Sequence, residues 1–220
     1  VAVSMTSGHE VYLQQALRAV PPDAHFLKQP VDRGTLTEVL LGLSHILAED
    51  PEATVLVLNA GHFFHPEQQA SSYFASAMGH AEQDPESIAL MAAPPDMHDT
   101  TYDYLKLDPA DSSDGILKIM AFKEKPNSHG PVAIDARFRW YLNTGAFAAK
   151  ASFLWNLAAQ IRPAMSDHFD IYRRAMQAAR RGQAPVRTRD LALAHAYGSA
   201  QPAAFHRDVL ERAQPFCNAV

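Results

Sequence analysis

The chain has 220 residues, 47% hydrophobic and 20% charged, with a net charge of −5 and one cysteine, Cys217. The length allows one sizeable domain or a large domain plus a small extension, the composition is ordinary for a globular protein, and the negative charge argues mildly against non-specific nucleic-acid binding. A lone cysteine excludes an intrachain disulfide and suits a reducing, cytoplasmic compartment; no apolar run approaches the roughly 20 residues that span a bilayer.

The first ten residues, VAVSMTSGHE, have no basic segment leading into an apolar core, so no signal peptide is expected. They begin in a strand-like segment without Met, which reads as a piece trimmed from something longer. Residues 1–5 are a predicted strand. Ser7 and Glu10 have capping-box spacing, and Leu13, Leu17 and Val20 then mark a helical face that Pro21 and Pro22 end. Residues 25–29 alternate weakly, as a strand would. After a loop at residues 29–34, Thr35 and Glu38 form a second capping box. Leu36, Val39, Leu40, Leu43, Ile46 and Leu47 then fall at helical spacing.

Within residues 53–58 (ATVLVL), Val55 to Leu58 form a short apolar run between two helical segments, closed by Asn59-Ala60-Gly61. This predicts an interior strand, buried on both faces and flanked by parallel neighbours. Pro66 stands where a first helical position should be, and Ala70, Tyr73, Phe74, Ala77 and Met78 supply that helix's apolar face. Further strands are expected at 87–93, 101–107 and 115–122, with a loop at 108–114. A short helix is expected at 131–140, then a strand at 141–149 interrupted at Asn143-Thr144-Gly145. From Ala151 the pattern is helical: Phe153, Leu154, Leu157 and Ile161, then Phe169, Tyr172 and Met176, closed by Arg180-Arg181-Gly182, with a third helix at 188–196. The predicted architecture is α/β, a single domain over 1–220: a three-layer sandwich around a mostly parallel, Rossmann-like sheet.

In such sheets ligands sit beyond the carboxyl ends of the strands. Three clusters fall there: Asn59-Ala60-Gly61-His62, Glu124-Lys125-Pro126 and Asn143-Thr144-Gly145. A carboxylate, an ammonium and an amide suit a phosphorylated, polyhydroxylated ligand, although a lysine and a glutamate beside a proline also simply decorate loops. Arg33-Gly34-Thr35 at a helix start suits either an anion or ordinary capping. His62 and His65 lack further ligands at metal-binding spacing, so a structural His62 is the better reading. There is no G-x-S-x-G, Walker A or G-x-G-x-x-G.

In this order the clusters resemble the sugar nucleotidyltransferases of the mannose-1-phosphate guanylyltransferase type. QPVDRGT, from Gln29 to Thr35, is similar to (E/Q)-P-x-x-R-(N/G)-T, and LNAGH, from Leu58 to His62, to L-P-(A/S)-D-H. PDMHDTTYDYL, from Pro95 to Leu105, is similar to P-T-x-P-E-T-x-Y-G-Y-I, and FKEKP, from Phe122 to Pro126, to F-x-E-K-P. YLNTGAF, from Tyr141 to Phe147, is similar to Y-x-W-N-(S/T)-G-(M/I)-F. RDVLE, from Arg207 to Glu211, resembles the segment before the family's W-S-D-x-G.

The resemblance implies a nucleotidyltransferase-like fold that joins a nucleoside triphosphate to a sugar 1-phosphate with Mg²⁺, releasing pyrophosphate; GTP and mannose 1-phosphate are the implied pair. It implies Glu124 on sugar hydroxyls, Lys125 on the sugar phosphate, Asn143 and Gly145 on the sugar ring, and Arg33, Gly34 and Thr35 near the nucleobase. It leaves a homo-oligomer open. Gly61 stands at the family's metal-binding aspartate, and Thr101 and Asp103 at glycines near the sugar. The family's N-terminal Gly-rich loop and its W-S-D-x-G are not in this sequence. An inactive or weak enzyme is therefore expected, or a non-catalytic paralogue that binds a nucleotide sugar or a partner subunit. A related metal-dependent glycosyltransferase would need a D-x-D that Asn59-Ala60-Gly61 does not supply.

Overall fold

In the computed structural model, residues 1–12, 18, 21–94, 102–113, 115–124 and 139–220 are described. They fall into two compact units. Unit 1 comprises Val1–Ala53 with Trp155–Val209, and unit 2 comprises Thr54–Leu154 with Leu210–Val220.

Unit 1 has two parallel strands, β1 (Ala2–Thr6) and β2 (His25–Gln29), paired from Ala2↔His25 to Thr6↔Gln29. The predicted amphipathic helix is α1 (Thr35–Glu49), with Leu36, Leu40, Leu43 and Leu47 buried as their spacing requires. Trp155 to Ile161 complete α3 (Ala151–Ile161), and α4 (Pro163–Arg180) and α5 (Val186–Ser199) follow. Pro163 at the first helical turn of α4 loses no intrahelical bond. Arg180 is its last residue, and Gly182, at φ 68, takes the left-handed turn after it. Phe169, Tyr172 and Met176 face the core, with the Phe169 and Tyr197 rings 5.6 Å apart, edge to face. At the amino end, residues 7–12 form a 3₁₀ turn; the helix expected beyond it lies largely outside the described residues.

Unit 2 holds β3 (Thr54–Val57), α2 (Glu67–Gln83), β4 (Ile88–Ala93), β5 (Tyr104–Ser113), β6 (Ile116–Lys123), β7 (Arg139–Lys150) and β8 (Cys217–Ala219). Pro66 is the N-cap of α2 rather than its first helical residue. The strands form a mixed sheet in the order β3-β7-β4-β8-β6-β5, with β7 also pairing β5. Among the described residues of this sheet only β4–β8 is parallel; β3–β7, β4–β7, β5–β6, β5–β7 and β6–β8 are antiparallel. The pairings β4–β7–β5–β6–β8–β4 thus close a circuit. Ile88, Ala89 and Leu90 on β4 are fully buried at its centre, and α2 packs its small residues Ala77 and Ala81 on Ala89, Met91, Ala146 and Ala148.

Three expectations are corrected. The 53–58 run was expected to be an interior, fully buried strand with parallel neighbours. β3 instead pairs, among the described residues, only with antiparallel β7 at one end of the sheet order; only Val55 on it is buried, and Leu58 is 45% exposed. An apolar run reports hydrophobicity but not the direction of its neighbour, and the long β7 supplies an antiparallel one. The expected 108–114 loop is mostly strand: β5 runs to Ser113, paired to Ile116 of β6. Of the helix expected at 131–140, residues 131–138 lie outside the described residues, while Arg139 and Trp140 belong to β7.

Candidate functional site

β7 builds the centre of the candidate site. Its pairing with β4 runs Leu90↔Phe147 and then Ala92↔Asn143, so residues 144–146 of β7 stand against Met91 alone. The expected interruption is therefore a bulge within a continuous strand, a device that re-aims side chains. Thr144 makes it locally satisfied: its hydroxyl donates to the Met91 carbonyl at 2.7 Å and accepts from Ala146 N at 3.2 Å. Asn143, 6% exposed, accepts from Gly145 N through Oδ1 at 2.9 Å. Gly145 has φ +72, a conformation that favours glycine, and among the described residues a Cβ there would meet nothing within 4 Å.

Register brings the loops together. Lys123, Tyr104, Leu142 and Ala93 form one row across β6, β5, β7 and β4. At this end Glu124 follows Lys123 and Asp103 precedes Tyr104, and Asn143 N donates to the Asp103 carbonyl at 2.8 Å. Glu124 is exposed. Lys123 holds its ammonium 5.6 Å from the centre of the Trp140 ring. Lys125 and Thr101 lie outside the described residues.

The loop after β3 joins this end of unit 2 through Tyr102. His62 lies 5.9 Å from the Tyr102 ring and 6.3 Å from Phe64, ring centre to ring centre. Phe64 packs on the core, whereas Phe63 is 85% exposed and stacks on His65. His62 therefore has the aromatic packing of a structural residue. The contacts of Tyr102 with His62 and of the Asp103 carbonyl with Asn143 N are not expected from the sequence, in which this stretch reads as a strand and as part of the resemblance, with Asp103 at a glycine near the sugar.

Gly61 donates its N–H to Asn59 Oδ1 at 2.9 Å. It has no side-chain oxygen, and among the described residues no group of three His, Cys, Asp or Glu side chains could hold a metal ion. Magnesium takes carboxylate, phosphate and water oxygens in a near-octahedral shell. Position 61 therefore offers no side-chain oxygen where the resemblance places a metal-binding carboxylate.

Arg33, Gly34 and Thr35 lie in unit 1, at the corner between β2 and α1. Arg33 Nε donates to the Tyr197 carbonyl at 3.2 Å, and Gly34 N to Asp32 Oδ1 at 2.8 Å. Thr35 Oγ1 accepts from Phe205 N at 2.8 Å. The Ala203 backbone docks on the same corner, donating to the Arg33 carbonyl at 3.0 Å and accepting from Leu36 N at 3.1 Å. Gln29, fully buried, donates to Ser4 Oγ at 3.1 Å and Glu38 Oε1 at 2.9 Å. Burial drives the Tyr197 hydroxyl, 3.3 Å from Gln29 Oε1, far above its ordinary range. These residues hold the corner together whatever else they do.

The nucleotidyl transferase family model matches residues 2–191. A Vibrio cholerae protein named "Putative mannose-1-phosphate guanylyltransferase" is 26% identical over 157 residues, covering 70% of this chain and 33% of that protein. Alginate biosynthesis protein AlgA of Pseudomonas aeruginosa is 25% identical over 146 residues, covering 66% and 30%. The chain thus spans about a third of the length of these curated relatives. Among solved structures, one titled mannose-1-phosphate geranyltransferase, from Thermus thermophilus, is similar over 100% of this chain and 58% of its own, with a TM-score of 0.78 and 19% identity. One titled mannose-6-phosphate isomerase, from Helicobacter pylori, is similar over 100% and 80%, with a TM-score of 0.74 and 12% identity. At these identities the two structures establish the fold.

Proposed function

The chain belongs to the nucleotidyl transferase family, and from that premise we propose that it binds a sugar 1-phosphate and a nucleotide at a site of the nucleotidyl-transfer type, with mannose 1-phosphate and GTP as the pair. In that reaction a sugar-phosphate oxygen attacks the α-phosphorus of the triphosphate, forming the nucleotide sugar as the bond to pyrophosphate breaks. Glu124 accepts from sugar hydroxyls, Lys125 pairs with the sugar phosphate, and Asn143 and Gly145 carry the sugar ring; Arg33, Gly34 and Thr35 are assigned to the nucleotide. The observation that supports this reading is the bond from Asn143 N to the Asp103 carbonyl beside the bulge at residues 144–146, at the strand end where Glu124 follows β6.

The family generally uses a divalent metal. Gly61 favours a second reading, a paralogue that binds the nucleotide sugar and transfers poorly or not at all, because no carboxylate stands at that position. Calorimetric titration with mannose 1-phosphate and with GDP-mannose separates the readings from a third outcome. Binding that Lys125→Ala weakens by about 1.5–3 kcal/mol, the range of a charge-assisted hydrogen bond, supports the site; equal affinity in the variant rejects it. Pyrophosphate release from GTP, Mg²⁺ and mannose 1-phosphate then decides between enzyme and binding paralogue.

A further inference from the structure

A cavity of about 460 Å³ in unit 1 is lined by Phe26 of β2, Leu41 and His45 of α1, Tyr172 of α4, and Arg189 and Leu193 of α5. That volume falls in the range of small-molecule pockets. A second cavity, of about 210 Å³, shares His45 and Arg189 with it and reaches Arg180. Phe26, Leu41 and Leu193 give the larger one apolar walls.

The charges around these cavities are already answered. Arg189 Nε and Nη2 donate to Asp190 Oδ1 at 2.9 and 2.7 Å, and Arg180 pairs with Glu49 at 2.7 Å. Lys28, also on the lining, is exposed and has an interaction of its own. A charged ligand would have to break one of these pairs or lie uncompensated against apolar walls. The lining therefore suits an uncharged ligand.

Its hydrogen-bonding capacity, by contrast, is not used up. Tyr172 is 3% exposed, and its hydroxyl lies 2.8 Å from His45 Nε2. Burial, then the Arg180 charge, pull His45 down to about 4, so its ring is neutral near pH 7. A neutral imidazole has one N–H and one bare nitrogen. Whichever of these Nε2 uses on Tyr172, Nδ1 keeps the other. Among the described residues the bond to Tyr172 is the hydrogen bond that His45 makes. Nδ1 is not one of the buried unpartnered atoms, so solvent reaches it. A hydroxyl both donates and accepts, and it matches Nδ1 in either tautomer. Water does so too, but it gains nothing from Phe26, Leu41 and Leu193, whereas an alcohol with an apolar body gains both.

We propose that this groove is a second ligand site, taking a small uncharged alcohol whose hydroxyl bonds His45 Nδ1 and whose apolar body lies on Phe26, Leu41 and Leu193. Every lining residue belongs to unit 1, and the inference does not depend on nucleotidyl transfer.

The probe is benzyl alcohol, with toluene, benzoate and benzylamine as controls, titrated into the full chain and followed by NMR of the ligands and of the His45 ring nitrogens. Benzyl alcohol should bind at least about fivefold more tightly than toluene, the gain from one net hydrogen bond, and at least about fivefold more tightly than either ion. It should shift the Nδ1 resonance more than toluene does at equal occupancy. His45→Phe should reduce the alcohol to the affinity of toluene, and Leu193→Ala should weaken both. A smaller advantage over toluene or over either ion, an unmoved Nδ1 resonance, or an alcohol advantage that survives His45→Phe overturns the proposal. So does binding of none of the four, which leaves the groove to water. Nδ1 is read in the unsubstituted protein, so the test stands even where His45→Phe unfolds.

Discussion

Asp32-Arg33-Gly34 in unit 1 and Asn59-Ala60-Gly61 in unit 2 share one local hydrogen bond. In each, the side-chain oxygen of the first residue accepts the glycine N–H, at 2.8 and 2.9 Å. Asn143-Thr144-Gly145 repeats it at 2.9 Å. What differs is the surroundings of the glycine. Gly34 has φ +82, and a Cβ there would lie 2.5 Å from the Ala203 carbonyl oxygen. Gly145 has φ +72 but, among the described residues, open space. Gly61 has neither demand: a Cβ would meet only Asn59 Oδ1, at an ordinary 3.4 Å. Three glycines that look alike in the sequence thus answer to packing, to backbone conformation and to neither. Gly61 is the one that the fold does not require.

The sharpest way to break this comparison is Gly34→Ala. The methyl group must displace a backbone atom and adopt a left-handed conformation, and the Ala203 bonds to Arg33 and Leu36 go with it. The expected loss is about 3 kcal/mol of unfolding free energy, read from urea denaturation. A loss under about 0.5 kcal/mol would mean that the corner gives way easily and that its glycine serves something other than packing.

A smaller effect tests the same packed unit through His45. Its folded pKa of about 4 lies below the unfolded value of 6.5. The unfolded chain therefore binds the extra proton in that window, and the stability due to the neutral ring is complete above pH 6.5 and lost as pH falls toward 4. Between pH 7 and 5 the loss should be about 1 kcal/mol, allowing for the solvent that still reaches the ring. Urea midpoints of the protein and of His45→Gln at the two pH values check it: the variant's should fall less. Parallel curves would show that the ring is not held as described.

Much of the fold was legible because burial writes periodicity. Leu36, Leu40, Leu43 and Leu47 announced α1, and the 88–93 run announced the buried β4. Direction and partner were not legible. Nothing in residues 53–58 says that β7 would pair with them antiparallel, because that pairing joins residues almost a hundred positions apart. At the candidate site, Asn143 and Glu124 stood out as strand-end polar residues and Asp103 as a departure from the resemblance, whereas the contacts of Tyr102 with His62 and of the Asp103 carbonyl with Asn143 N were not legible, since they are an aromatic contact and a backbone bond. Arg33 to Thr35 were visible for an anion-binding spacing, while the hydrogen bonds they make to Tyr197, Asp32 and Phe205 came from chain far away or from the turn itself.

The smallest expected change in stability is at Gly61, and it is the most informative about function. Gly61→Asp introduces a side chain where there is room and no left-handed strain, so unfolding free energy should move by less than about 0.5 kcal/mol. The new carboxylate stands at the end of β3, within the turn closed by Asn59. A single carboxylate does not complete a magnesium shell, which draws most of its oxygens from water and phosphates. The variant should therefore respond to Mg²⁺ only when a nucleotide is also present. In a thermal-shift titration, Mg²⁺ with GTP should stabilise Gly61→Asp more than the unsubstituted protein, while either alone should not distinguish them. Pyrophosphate release should follow the same pattern. If the unsubstituted protein already shows the full Mg²⁺-dependent shift and release, another carboxylate holds the metal. Asp103, whose carbonyl accepts from Asn143 N, is the described residue to substitute next, and Asp99, which lies outside the described residues, after it. If neither protein responds, restoring one oxygen ligand is not sufficient, and the binding reading of this chain gains over the catalytic one.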